Sequence, residues 1–256
     1  METVKAAPFD PQELVNRFAE TAKHHGFRAE SMIEIDGCPL IALTKRTAGP
    51  RPRIYLSSGA HGDEPAAPLA LLRLLESGIF DARAVWFLVP MLNPSGFLRG
   101  VRENRAGIDL NRDYRNPASL EVSAHVRWLE YQPPFDLSFC LHEDWESTGF
   151  YLYELNPTAR ASLAGIMIDA VGSAHPIDHA SMIDGRPASN GIIRPIDDPV
   201  ARERWPEAIY LRAHHTTLSY TLETPSGFPL EQRVAMHTLA VEAALNAFLR
   251  QSGSTN

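Results

Sequence analysis

A buried strand that runs into a short turn and then a helix is the feature that most restricts this chain, because such a unit belongs to α/β folds. Residues 53–56 (Arg-Ile-Tyr-Leu) are apolar and β-prone, and read as a buried strand. Residues 65–76 (PAAPLALLRLLE) are rich in Ala and Leu and predict a helix. The turn between them carries His61 and, three residues on, Glu64. Open α/β sheets place their sites in loops that leave the carboxyl ends of strands. An imidazole nitrogen and a carboxylate oxygen are ordinary zinc ligands, so His61 and Glu64 could converge on one cation. By itself the tetrapeptide is unspecific, since H-x-x-E often arises by chance.

The remaining chain supplies more units of the same kind. Residues 11–25 have helical spacing through Leu14, Phe18 and Ala22, with Gly26 as a stop. Residues 31–35 and 40–44 read as two strands joined at Asp36-Gly37, a hairpin signal. Residues 84–89 (AVWFLV) form another buried strand, ended by Pro90. Residues 91–117 show no period and carry five arginines, and a loop of that length is functional or disordered. A helix over 118–131 is broken by Pro133-Pro134, and a central strand over 136–141 ends at His142. A strand over 149–155 and a helix over 157–173 follow. Residues 175–212 are Pro-rich and irregular. A strand over 217–222 runs out at Glu223, and the last helix covers 230–250 ahead of a polar tail. No repeat or linker divides the chain. The expectation is one α/β domain over residues 1–256, with three α/β/α layers.

Composition narrows the partners. A formal charge of −7 argues against a general nucleic-acid or anionic-membrane surface. Residues 1–18 lack the apolar core of a signal peptide, and no window approaches a membrane span. The two cysteines, Cys38 and Cys140, lie in apolar stretches and read as buried thiols of a reducing compartment. The expectation is a cytoplasmic protein that binds neither nucleic acid nor membrane.

Four features fall where strands run out into loops: His61 with Glu64, Arg102 with Asn111 and Arg112, His142, and Glu223. A zinc hydrolase needs three protein ligands and an open position, and His61, Glu64 and His142 supply such a set. It needs a base that takes a proton from water and returns it to the leaving amine, and Glu223 suits that role. It also needs fixed cations for a carbonyl oxygen or a carboxylate, for which arginine is well formed.

The order of motifs is more specific than any one of them. H-x-x-E is followed by N-P-S-G at 93–96, R-x-x-R-x-N-x-x-G-I-D-L-N-R at 99–112, a strand-end His142, and L-E-T-P at 222–225. From residue 53 to 250 this order resembles the zinc carboxypeptidase family, in particular its small bacterial branch of murein peptide amidases and related succinylglutamate desuccinylases. The resemblance implies a mixed, roughly eight-stranded sheet flanked by helices and one zinc ion per chain. It also implies that His61, Glu64 and His142 ligate the metal and that Glu223 is the general base. By the same resemblance Arg102 polarises the scissile carbonyl, while Asn111 and Arg112 hold the terminal carboxylate of a short peptide or murein-derived peptide. The family's mobile-loop tyrosine has no matching motif, and Tyr210 is only near the right region. The acidic pair Glu143-Asp144 suggests a place for a substrate amino group, with Asp144 as its ligand.

Two other functions stay open. One is an N-acyl amino acid deacylase of the succinylglutamate desuccinylase/aspartoacylase type, acting on an acyl-amino-acid. Those proteins carry a further β-rich C-terminal domain, whereas the residues after Glu223 read as helix. The other is a non-catalytic peptide- or carboxylate-binding protein, although all three ligands and the base are present. Among the remaining histidines, His125 and His237 read as surface or packing residues. The pairs His24-His25 and His214-His215 read as solvated, and His175 and His179 as incidental. Asp63 either orients its turn or supports a ligand histidine.

Overall fold

The computed structural model describes residues 9–158, 160–195 and 198–253. Residues 1–8 and 254–256, on which part of the leader and tail expectations rest, lie outside the described residues. Helix α1 (Pro11–His24) opens with Asp10, whose carboxylate caps the Gln12 N–H. Strands β1 (Arg28–Ile35) and β2 (Cys38–Lys45) form the expected hairpin. Asp36 and Gly37 both take positive φ, +51° and +83°, as a two-residue turn of that hand requires. The chain continues through β3 (Arg53–Ser58), α2 (Ala66–Glu76), β4 (Val85–Val89), α3 (Pro94–Arg99), α4 (Leu120–Glu130) and β5 (Leu137–Asp144). Then come β6 (Tyr151–Leu155), α5 (Ala164–Gly172), β7 (Met182–Ile183), β8 (Arg186–Ser189) and β9 (Ile192–Ile193). Helix α6 (Glu207–His214), β10 (Ser219–Pro225) and α7 (Leu230–Gly253) close it.

The strands form one mixed sheet in the order β1-β2-β4-β3-β5-β10-β6-β9-β8-β7. Its centre, β4-β3-β5-β10, is parallel, and antiparallel pairs flank it. Strand alternation separates two cores. Ile54, Leu56, Phe139 and Leu222 face α1, α2, α5 and α7 on one side. Tyr55, Phe87 and Cys140 face α4 and α6 on the other, which completes three layers. The chain leaves β3 for β4 on one side and later returns to β5 on the other. Order therefore reverses at β3/β5, and the crevice above that reversal is where such sheets bind ligands.

Several expectations are corrected. Among the described residues the sheet has ten strands, not about eight, because the irregular 175–212 region contributes the short strands β7, β8 and β9. The 91–117 loop holds α3 and a turn of 3₁₀ helix, Leu110–Arg112. The helix expected over 157–173 begins only at Ala164. Upstream, the Asn156 side chain bonds both the N–H and the C=O of Arg160, drawing that backbone away from a helix. His142 and Glu223 lie within β5 and β10 rather than after them. Among the described residues no helix is long and apolar enough to cross a membrane.

One close approach locks the His61 turn to α3. A Cβ on Gly62 would lie 2.0 Å from the Gly96 carbonyl carbon, so position 62 tolerates no side chain. Asn93 reinforces the contact. It caps α3 through the Gly96 N–H and donates to the carbonyls of Ala60 and Arg102. Thus N-P-S-G is a clamp that joins two parts of the crevice. Gly62→Ala is expected to lower stability by about 1–3 kcal/mol, the usual cost of overpacking. Gly165→Ala, in open space on α5, should change it by no more than about 1 kcal/mol. Thermal denaturation of the two variants checks this.

Candidate metal centre

His61 and Glu64 sit on the turn between β3 and α2, and His142 comes from the end of β5. All three are buried, at 2%, 3% and 3% exposure, and one ligand atom from each lies within 4.8 Å of the others. The Glu64 carboxylate bridges the two rings, with His61 Nδ1 at 2.5 Å from Oε1 and His142 Nδ1 at 2.9 Å from Oε2. Two imidazole nitrogens and a carboxylate oxygen on a cavity wall fit a divalent cation with an open coordination position. His61 Nε2 lies 3.1 Å from Asp109 Oδ1, so Asp109 rather than the exposed Asp63 supports this ligand. The other Asp109 oxygen accepts from Arg102 Nε at 2.9 Å, and Arg102 Nη1 lies 3.6 Å from Glu64.

Electrostatics follow from these contacts. Burial works to lower the His61 imidazole, but Glu64 and the bond to Asp109 outweigh it and raise its pKa to about 9. Burial would raise the Glu64 carboxyl, yet the two imidazoles hold it well below the usual range. Asp109 is likewise held down by His61 and Arg102 against its burial. His142 is lowered, chiefly by burial. Glu223 is pushed well up by burial and by the neighbouring Glu64 and Asp144, and a dication beside it would act in the opposite sense.

All eight residues singled out from the sequence line one cavity of about 240 Å³: His61, Glu64, Arg102, Asn111, Arg112, His142, Asp144 and Glu223. Glu223 pairs in register with His142 on one side and Tyr151 on the other. In the acidic pair, alternation splits the roles. Asp144 faces the cavity and accepts from the Tyr151 hydroxyl at 2.9 Å. Glu143 instead accepts from Arg233 of α7 and from the Ala66 N–H at the start of α2, anchoring two helices. Asn111 is tied up: its Oδ1 accepts from the Glu207 N–H at 2.9 Å and its Nδ2 meets His142 Nε2 at 3.3 Å.

Tyr210 does not face the cavity. It packs in α6 against Tyr114, His214 and His215. Tyr151 and Tyr153 line the cavity instead. His125 and His237 are packing residues and fully buried, while His215 is buried rather than solvated. The cavity also recruits Arg186 from the start of β8 and Arg202 ahead of α6. Nothing in their sequence context marked either one. Asp109 is part of D-L-N-R, and its bond to His61 appears only in the folded chain.

The sequence profile of the succinylglutamate desuccinylase/aspartoacylase catalytic domain matches residues 50–190, more than half of the chain. The chain belongs to this family. Its fold is that of the zinc carboxypeptidase relatives. A candidate metallopeptidase of Shewanella amazonensis SB2B superposes with a TM-score of 0.80 at 26% identity, covering 94% of this chain and 93% of that one. A second, from Shewanella denitrificans OS217, gives 0.80 at 24% over 91% and 88%. A metallo-carboxypeptidase of Burkholderia cenocepacia gives 0.68 at 20% over 92% and 69%, a likeness of fold alone. No curated protein matches the chain.

Zinc titration of the metal-stripped protein should show one site per chain, lost in His61→Ala and in His142→Ala. Since His61 holds a proton below about pH 9, a cation taking its place must expel it. Binding at pH 7 is therefore expected to release at least one proton, from His61 and further from Glu223 as the dication draws its pKa down, read from calorimetric heats in buffers of different ionisation enthalpy.

Proposed function

We propose that this protein is a metal-dependent hydrolase, with zinc as the cofactor, that cleaves an amide bond next to a free carboxylate in a short peptide or murein-derived peptide. One observation carries the reading: a His-Glu-His donor set and a carboxyl on the adjoining strand, Glu223, line the same cavity. When bound by His61, Glu64 and His142, the metal supplies Lewis acidity to a carbonyl and acidifies water. Glu223 takes the proton of the attacking water and returns it to the leaving amine. Arg102, held by Asp109, directs its remaining N–H groups at the developing oxyanion. Arg112 receives the substrate's terminal carboxylate, with Asn111 shaping the floor beneath it. Asp144 takes an amino group on substrates that have one. A cytoplasmic setting fits the two buried free cysteines.

A second reading is an N-acyl amino acid deacylase, favoured by the family and by one feature of the cavity. Arg112, Arg186 and Arg202 all line it, and among the described residues none of the three is salt-bridged. Burial and the charges of Arg186 and Arg112 hold Arg202 below its usual pKa, only partly offset by Tyr153 and Asp184, so these cations crowd one another. An amino acid with two carboxylates would relieve that repulsion.

Glu223→Gln should lower kcat by about 10²–10⁴-fold while zinc content is retained. Loss of zinc together with activity would assign Glu223 to the metal site instead. Assaying γ-D-glutamyl-diaminopimelate beside N-succinylglutamate separates the two readings. If the deacylase reading holds, Arg186→Ala with Arg202→Ala should raise KM for the succinylated substrate about tenfold or more. Unchanged KM would remove these arginines from the account.

A further inference from the structure

The mechanism leaves one deeply buried acid unused. Glu207 is the first residue of α6 and is 1% exposed, and among the described residues no cation is paired with its carboxyl. Its Oε1 accepts from the Tyr55 hydroxyl at 2.6 Å. That hydroxyl also meets His125 Nε2 at 3.0 Å, and His125 Nδ1 meets the Tyr114 hydroxyl at 2.7 Å. The four side chains come from α6, β3, α4 and the loop after Arg112, and they form one chain of polar contacts inside an apolar core. Burying such a chain is costly unless every member is satisfied, so it calls for a reason.

The reason lies at its two ends. Helix α6 starts after Pro206, which offers no side-chain cap, so the Glu207 N–H needs an outside acceptor. Asn111 Oδ1 supplies it. At the other end the Tyr114 N–H bonds the Trp205 carbonyl, which zips residues 111–114 against the approach to α6. The contacts thus close a ring through Tyr114, His125, Tyr55, Glu207 and Asn111. This ring reaches the metal centre through the Asn111 backbone N–H, which donates to Asp109 Oδ1 at 2.9 Å, the same oxygen that lies 3.1 Å from His61 Nε2.

We propose that Glu207 is a positioning residue for the metal centre: its bond to Tyr55 pins the start of α6, which holds Asn111, whose backbone N–H donates to the Asp109 carboxylate that orients the His61 imidazole. This rests on the metal-centre reading but not on any substrate. Burial pushes the Glu207 pKa up to about 7 against the pull of the Tyr55 bond, so a neutral amide is a fair replacement. Outer contacts of this kind change metal affinity by about 10–100-fold when removed.

The test is the zinc dissociation constant of the full chain, measured by chelator competition, beside its melting temperature. Glu207→Ala is expected to weaken zinc about tenfold or more, Tyr55→Phe by a smaller factor, and Glu207→Gln to stay within about threefold of wild type. Val122→Ala, in the same core but outside the ring, should lower the melting temperature and leave zinc affinity unchanged. Unchanged or tighter zinc in Glu207→Ala overturns the proposal, as does a Val122→Ala that weakens zinc equally. Should Glu207→Ala fail to fold, Tyr55→Phe decides, and wild-type affinity in that variant overturns it. A wild-type protein that takes up no zinc sinks the metal-centre reading and this inference with it. Wild-type uptake with unaltered variants sinks only the inference.

Discussion

A carboxylate held almost out of water between two imidazoles is the contact on which this molecule turns. Glu64 is 3% exposed and has a ring nitrogen on each oxygen. A buried charge is tolerable only when paired and fully hydrogen-bonded. The surroundings meet that demand from three directions. The N-P-S-G clamp holds the His61 turn, Asp109 takes the far nitrogen of His61, and Asn111 faces the far nitrogen of His142.

The sheet explains why residues so far apart in sequence meet. Strands β3, β5 and β10 are neighbours and parallel, so their carboxyl ends deliver His61 with Glu64, His142 and Glu223 to one edge. Period-two alternation sends His142, Asp144 and Glu223 toward the α4/α6 side, and Glu143 toward α2 and α7. One acid therefore serves the cavity while its neighbour anchors helices. The cavity thus carries Asp144 and Glu223 from β5 and β10, and Arg112, Arg186 and Arg202 from other parts of the chain, with Asp184 among them.

Much of this was legible in the linear chain because it rests on local rules. The hairpin at Asp36-Gly37, the strand–turn–helix at His61, and the strands before His142 and Glu223 follow from turn chemistry and short-range pattern. Motif order, through a family resemblance, also pointed to the residues that the sheet gathers around one cavity. The short strands β7, β8 and β9 were not legible: two to four residues among prolines have no period to detect. Nor were Arg186, Arg202 and Glu207, which matter only through neighbours dozens of residues away.

What the sequence determined by itself was the α/β class and the turn and strand ends that carry the candidate donors and Glu223. These depend on residue type and on spacings of a few positions. Only the tertiary structure decided which acid of Glu143-Asp144 faces the cavity, and that Asp109 rather than Asp63 supports His61. It also decided that Tyr210 lies in the core and that α6 is capped by Asn111 from across the chain. The physical reason is common to all of these. Side-chain direction on a strand, and partnership across a sheet, depend on register and crossover, which no local window of sequence contains.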